Sequence, residues 1–206
     1  MTEADRPQLY LVTPPSFDAE VFPAKLASVL DSADIACLRL SLSSRDEDEI
    51  ARAADALREI AHARDVALVI EKHVQLVERL GLDGVHLPDG PRNVGRIRKE
   101  LGADAIIGAF CGVTRHEGIS AAEAGADYVS FGPVGETALG DGTRADLDLF
   151  GWWSDMIEVP VVAEGALTEE LIRELTPITD FFAIGEEIWR EEDPAAAMAK
   201  LIKAMG

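Results

Sequence analysis

Cysteine is scarce in this 206-residue chain: Cys37 and Cys111 are the 2 present, each among apolar neighbours and neither in a Cys-x-x-Cys or Cys/His cluster. That excludes a disulfide framework and a thiolate zinc site, and both side chains are expected to be reduced thiols. Basic residues are also few, with 19 Lys+Arg against 38 Asp+Glu and a formal charge of -19. A surface of that sign repels phosphate backbones and anionic leaflets, which argues against nucleic acid or membrane as a partner. Long apolar runs are missing: Val66–Ile70 and Val159–Ala163 fall far short of the roughly 20 residues that cross a bilayer. The opening Met-Thr-Glu-Ala-Asp-Arg lacks the basic and then apolar segments of a secretory signal, so a cytoplasmic location is expected.

What is present is core material, 48% hydrophobic residues against 28% charged, which a disordered acidic chain would not have. Short β-rich apolar runs alternate with stretches of helical period, and no Pro/Gly/Ser-rich linker divides them, so 1–206 reads as a single domain. The candidate strands are Leu9–Val12, Ala36–Leu40, Ala67–Ile70, Gly84–Leu87, Ala105–Ile107, Tyr128–Phe131, Pro160–Ala163 and Phe181–Ile184. Between them Ile50, Ala54, Leu57 and Ala61 share one helix face, opened by a capping box at Ser44-Arg-Asp-Glu47. The last helix opens at Asp193-Pro194, a cap residue followed by proline in the first turn. Eight strand–helix units predict an α/β fold, a (β/α)8 TIM barrel rather than an open doubly wound sheet. In that fold an active site lies at the carboxyl ends of the strands, with a phosphate site at the loops after strands seven and eight.

The segments Asp83-Gly-Val-His-Leu87, Ile106-Ile-Gly108, Gly125-Ala-Asp-Tyr-Val-Ser-Phe-Gly-Pro133 and Pro160-Val-Val-Ala163 resemble, in order and spacing, the thiamine phosphate synthase and thiazole tautomerase family. The resemblance spans nearly the whole chain. It implies a barrel that joins an aminopyrimidine diphosphate to a thiazole phosphate, with magnesium on the departing diphosphate. In the tautomerase branch it implies metal-free isomerisation of a thiazole carboxylate phosphate. The expected ligand is a small molecule, and positive charge is needed where the diphosphate leaves.

Compared with the family's pattern, the mouth positions are altered. After strand two, Gln-x-Arg-x-Lys becomes Cys37, Arg39 and Ser41. Arg39 serves either a ligand or a neighbouring glutamate. After strand three, where the family has Asn-Asp, the chain has Glu71-Lys72-His73, and lysine is no ligand for a hard cation. Glu71 and His73 share a face if the strand continues; otherwise Lys72 forms an ion pair and His73 caps the next helix. After strand four Asp89 stands two residues short of the family's aspartate, in a Pro-Asp-Gly-Pro turn. The resemblance therefore implies magnesium while its ligands are not retained, and no metal site is expected.

After strand five Thr114 is the candidate for a retained hydroxyl, and His116 reads as a solvated helix-end residue. After strand six the chain reads Gly132-Pro133, then Glu136-Thr137, a pair closer to the tautomerase branch, and Gly140 where the family has a lysine. Arg144 is placed to reach back in its stead, and the Gly-rich segment 135–144 is a candidate lid. In the phosphate pocket one glycine remains in each loop, Gly165 beside Ala166 and Gly185 before Glu186. Glu186 and Glu187 are placed to satisfy the helix N-terminus an anion would otherwise occupy. With Glu71, Asp89, Glu136 and Glu164 they make the mouth carboxylate-rich. This favours a paralogue binding a cationic or neutral molecule over a working synthase. Elsewhere, Phe150, Trp153 and Ile157 with Leu149, Trp152 and Met156 read as helix-on-barrel packing, His86 as a hydrogen-bonded structural histidine, and His62 as exposed.

Overall fold

Strands apolar at both parities must be covered on both faces, as a barrel sheathed in helices provides. The computed structural model describes residues 6–206; apart from Arg6, the N-terminal segment read above for a signal lies outside them. Strands β1 (Gln8–Val12), β2 (Ile35–Leu40), β3 (Ala67–Glu71), β4 (Gly84–Leu87), β5 (Ile106–Phe110), β6 (Tyr128–Phe131), β7 (Val161–Glu164) and β8 (Phe181–Ile184) close in sequence order, all parallel, β1 pairing β8. Each coincides with an expected strand. β5 runs on to Phe110 through Gly108, where a Cβ would sit 1.9 Å from Cζ of Tyr128, so the glycine belongs to the strand because a ring fills its place.

The pleat sorts side chains between two cores. Leu68, Ile70, Val85, Leu87, Val129, Phe131, Val161 and Phe182 face the helices. Tyr10, Cys37, Val69, Tyr128, Val162 and Ala183 fill the barrel interior. The covering helices include α1 (Phe22–Ser32), α2 (Glu47–His62), α3 (Val74–Leu80), α4 (Val94–Leu101) and α5 (Arg115–Glu123). They continue as α6 (Leu147–Met156), α7 (Glu169–Leu175), α8 (Glu186–Trp189) and α9 (Pro194–Ala204). Among the described residues no helix is long and apolar enough to cross a membrane.

Caps depart from expectation at one helix. Asp193 caps α9 as expected, accepting from Ala196 N. At α2, however, the cap is Asp46, which accepts from Asp48 N and Glu49 N. Ser44 lies two residues earlier, its hydroxyl on Glu49 and accepting from Asp46 N, so the expected Ser44–Glu47 box does not form. In α6 Leu149, Phe150 and Trp153 are buried, Trp153 5.1 Å from Phe131, with its indole N–H donating to Val159 O. Gly118 permits that contact, since a Cβ there would lie 2.5 Å from the Trp153 ring. Met156 is 64% exposed and Trp152 stacks under Arg115, so the packing face is narrower than the aromatic spacing suggests.

The amino ends of the strands carry a repeated clamp. Asp83 donates its N–H to Leu68 O and accepts Leu68 N on its carboxylate. Asp127 does the same with Ile107, and Asp180 with Val161. Each aspartate precedes an even-numbered strand and grips the strand before it, on the face opposite the mouth.

Candidate active site at the barrel mouth

Arg39 on β2 and Glu164 on β7 belong to strands that are not neighbours, so their side chains can meet only across the barrel interior. Arg39 Nη2 donates to Glu164 Oε2 at 2.6 Å, and both side chains are buried. The other carboxylate oxygen accepts from Ser130 Oγ at 2.8 Å. Arg39 Nη1 donates to His86 Nε2 at 2.7 Å. A guanidinium can only donate, so Nε2 accepts and the ring proton of neutral His86 sits on Nδ1, from which it is donated to Tyr128 Oη at 2.9 Å. Tyr128 and Tyr10 share the next bond, at 2.6 Å. Six side chains from the five strands β7, β2, β4, β6 and β1 thus form one hydrogen-bonded ladder.

Burial sets its charge states. Desolvation is the largest single influence on Arg39 and works to lower its pKa, but Glu164, Tyr10 and Tyr128 together outweigh it and hold the guanidinium charged. Desolvation, with the Arg39 charge adding to it, pushes His86 well below its ordinary value, so it is neutral. The tyrosines are raised, chiefly by burial. Cys37, expected at the mouth, lies lower, in the inner core, and burial pushes its thiol up to about 12. Its side chain therefore packs against Tyr10 and Val69 and is no mouth ligand. Cys111 is likewise buried, its thiol pushed up to about 12 by desolvation and by Glu117.

Above the ladder, Ser41 Oγ donates to Glu71 at 2.7 Å, and Lys72 Nζ approaches Glu71 at 3.3 Å, the expected ion pair. Lys72 has φ 71, which ends the extended chain, so Glu71 and His73 do not continue one strand face. His73 takes the cap position of α3 but makes no side-chain cap bond. Asp89, exposed, accepts from the Asn93 side chain within its turn. Thr114 accepts from Glu117 N as the cap of α5, and it lines a small pocket with Asp89, Gly112 and Gly140. His116 is exposed on α5, and His62, exposed at the end of α2 as expected, bonds Asp83. Among the described residues no three His, Cys, Asp or Glu side chains are grouped to hold a metal.

On the β6–β8 side, the loop after β6 and the two loops beyond it enclose a cavity of about 640 Å³. Glu136, Thr137, Arg144, Ala166, Glu186 and Glu187 line it, whereas Gly140 lies on a separate pocket with Phe110 and Thr114. Pro133, buried, follows a cis peptide at the base of this loop, and Gly135 N donates to Gly165 O. The expected anion position is filled from within. Glu187 accepts Leu167 N at 3.0 Å and Gly185 N at 2.8 Å, its carboxylate spanning the loops after β7 and β8. Glu186, on the same first turn, is exposed at the cavity wall and makes no such bond. Glu164, counted among the free mouth carboxylates, is spent on Arg39 and Ser130. Tyr10 and Tyr128 were not singled out; their inward parity with Arg39 and Ser130 is the signal that marks them.

Comparison with known proteins supplies the lineage. The family described as thiamine monophosphate synthase matches residues 9–185. The chain belongs to this family. The thiamine-phosphate synthase of Rhodospirillum centenum is 40% identical over 201 residues, 96% of this chain and 97% of that protein. That of Erythrobacter litoralis is 35% identical over 206 residues, 97% and 96% of the two chains. Among solved structures, a thiamine phosphate pyrophosphorylase from Pyrococcus furiosus superposes with a TM-score of 0.82 at 23% identity, covering 96% of this chain and 95% of that one, which bears on the fold. In this chain Asp83 and Asp127, within the segments that carry the family resemblance, form two of the strand clamps.

Proposed function

We propose that this thiamine monophosphate synthase family barrel runs the metal-assisted condensation weakly or not at all, and that its mouth prefers an uncharged or cationic small molecule to a phosphate ester, in the cytoplasm. The observation that carries this reading is the Glu187 carboxylate on the N–H groups of Leu167 and Gly185. An incoming phosphate would have to displace a covalently tethered anion that already receives both bonds. The surrounding cavity adds Glu136, Glu170, Glu174 and Glu186 against Arg144 and Arg190, so the local field opposes a dianion. Magnesium fits poorly. Glu71 is engaged by Ser41 and Lys72, Asp89 by Asn93, and the neighbouring lysine repels a dication. Fold similarity does not decide the reaction.

The competing reading is thiamine phosphate synthase itself, favoured by the full-length identity to the Rhodospirillum centenum enzyme. One assay separates them: the chain with aminopyrimidine diphosphate, thiazole phosphate and magnesium, product followed by chromatography. The expected result is no product above background. Turnover within the ordinary enzymatic range of about 1 to 1,000 per second would establish the synthase.

A further inference from the structure

At the amino ends of the strands, opposite the mouth, the barrel holds an open hollow of about 170 Å³. Its floor is Tyr10, Cys37, Tyr128 and Val162, all buried and all part of the inner core. Ala36 on β2 and Ala67 on β3 leave the room, and Ile106 on β5 and Phe181 on β8 border it. A shift in strand register contributes: Leu9 pairs Ile35 but Tyr10 pairs Cys37, so Ala36 is an extra residue in β2. Ile35 and Cys37 would share a face in a regular strand, yet Ile35 packs with the helices and Cys37 faces the interior. The bulge leaves Ala36 at the rim with only a methyl group to offer. The polar atoms of the floor are already engaged. The Tyr10 and Tyr128 hydroxyls share a bond at 2.6 Å, and Tyr128 Oη also accepts from His86. A water molecule there would lack the roughly two to four polar partners it needs. Among the described residues that line the hollow none is charged. At the same end the clamp carboxylates of Asp83, Asp127 and Asp180 oppose an anion, while a cation would give up its hydration for an apolar floor.

We propose that this hollow is a second binding site, separate from the mouth, for a small uncharged molecule carrying one aromatic ring. An apolar protein cavity of about 150 Å³ is enough to hold benzene, so the volume suits a single ring with a small substituent. Tyr10 and Tyr128 meet edge to face, their centroids 5.5 Å apart and their planes at 64°, which offers a guest ring both orientations that aromatic pairs favour. Phe181, Ile106 and Val162 supply the remaining apolar contact. Removing the ring's surface from water drives the binding, and few polar bonds are given up on either side. The site lies at the end of the barrel away from the mouth and does not depend on the reaction run there.

The test titrates fluorobenzene into the full chain and follows it by fluorine and proton NMR. The expected result is saturable one-to-one binding, with nuclear Overhauser contacts from the probe to the ring protons of Tyr10 and Tyr128. No saturation up to the solubility of the probe overturns the proposal. So do contacts that run instead to Phe17 and Leu42, which line an apolar groove beside α1 and α2. Ala67→Leu extends a side chain into the hollow and should weaken binding roughly 10-fold or more; a folded Ala67→Leu that binds as tightly as the parent overturns the site. Should that variant not fold, Ala36→Leu is read in the same way, and the contacts in the parent decide in either case. Charge is tested with 4-fluorobenzoate and 4-fluorobenzylammonium, each expected to bind roughly 10-fold more weakly than fluorobenzene or worse. Equal binding of either ion overturns the assigned ligand class.

Discussion

Replacing Arg39 by methionine should be among the most damaging single changes this barrel can suffer. The side chain is 8% exposed and Glu164 5%, so removal strands a carboxylate with only Ser130 as donor and leaves His86 Nε2 without one. Breaking a buried pair in this way costs about 3–5 kcal/mol. For a chain of this size that lowers Tm by roughly 6–20 °C, at about 2–4 °C per kcal/mol. Glu164→Leu should cost a similar amount, now by stranding the guanidinium. The double change removes both charges together and leaves only the unpaired groups on His86 and Ser130, about 0–2 kcal/mol. Non-additivity of at least about 4 kcal/mol follows. Urea unfolding reports it through tryptophan fluorescence, because Trp153 is fully buried. Costs that add to within about 0.5 kcal/mol, or an Arg39→Met variant within about 1 kcal/mol of the parent, would refute the view of the pair as one neutral unit.

Three further outcomes are expected. Glu187→Ala should cost about 1–3 kcal/mol by leaving Leu167 N and Gly185 N without an acceptor; added sulfate should restore part of it, and equal sulfate response in parent and variant would count against the internal-anion reading. Because His86 is held neutral when folded, its unfolded form binds a proton first as pH falls below about 6.5, and stability should drop by up to about 1.4 kcal/mol per pH unit until the folded value is reached. Urea midpoints between pH 7 and 5 check this, with His86→Gln flattening that part of the slope. Gly108→Ala places a methyl 1.9 Å from Tyr128 Cζ and should displace the ring, breaking the bonds to His86 and Tyr10 at a cost of about 3 kcal/mol or more; a melt unchanged from the parent would mean the inner core yields more readily than argued.

The strands were legible because each is a run of apolar residues bounded by polar turns, a local property. The strand parity points Arg39 inward but leaves it between a ligand and a glutamate, because the partner it takes stands 125 residues away and no spacing rule names it. Glu186 and Glu187 differ by one position, about 100° of rotation on a helix, which separates a carboxylate in solvent from one bridging two loops. Parity failed after β3 because Lys72 adopts a positive φ, a conformation lysine rarely shows and its sequence neighbours do not announce.

The aspartate clamps join β3 to β4, β5 to β6 and β7 to β8, and none of the three crosses from one such pair to the next. At the foot of the barrel six of the eight strands are therefore tied into two-strand modules, each sewn by a two-point tie between one aspartate and one residue. A chain cut between modules, at Gly102–Ala103, leaves every tie within a single fragment, whereas a cut at Gly125 parts Asp127 from Ile107. Split halves divided at the first point should reassemble in higher yield on co-expression than halves divided at the second, and the loops at the opposite end can be exchanged without loosening a single tie.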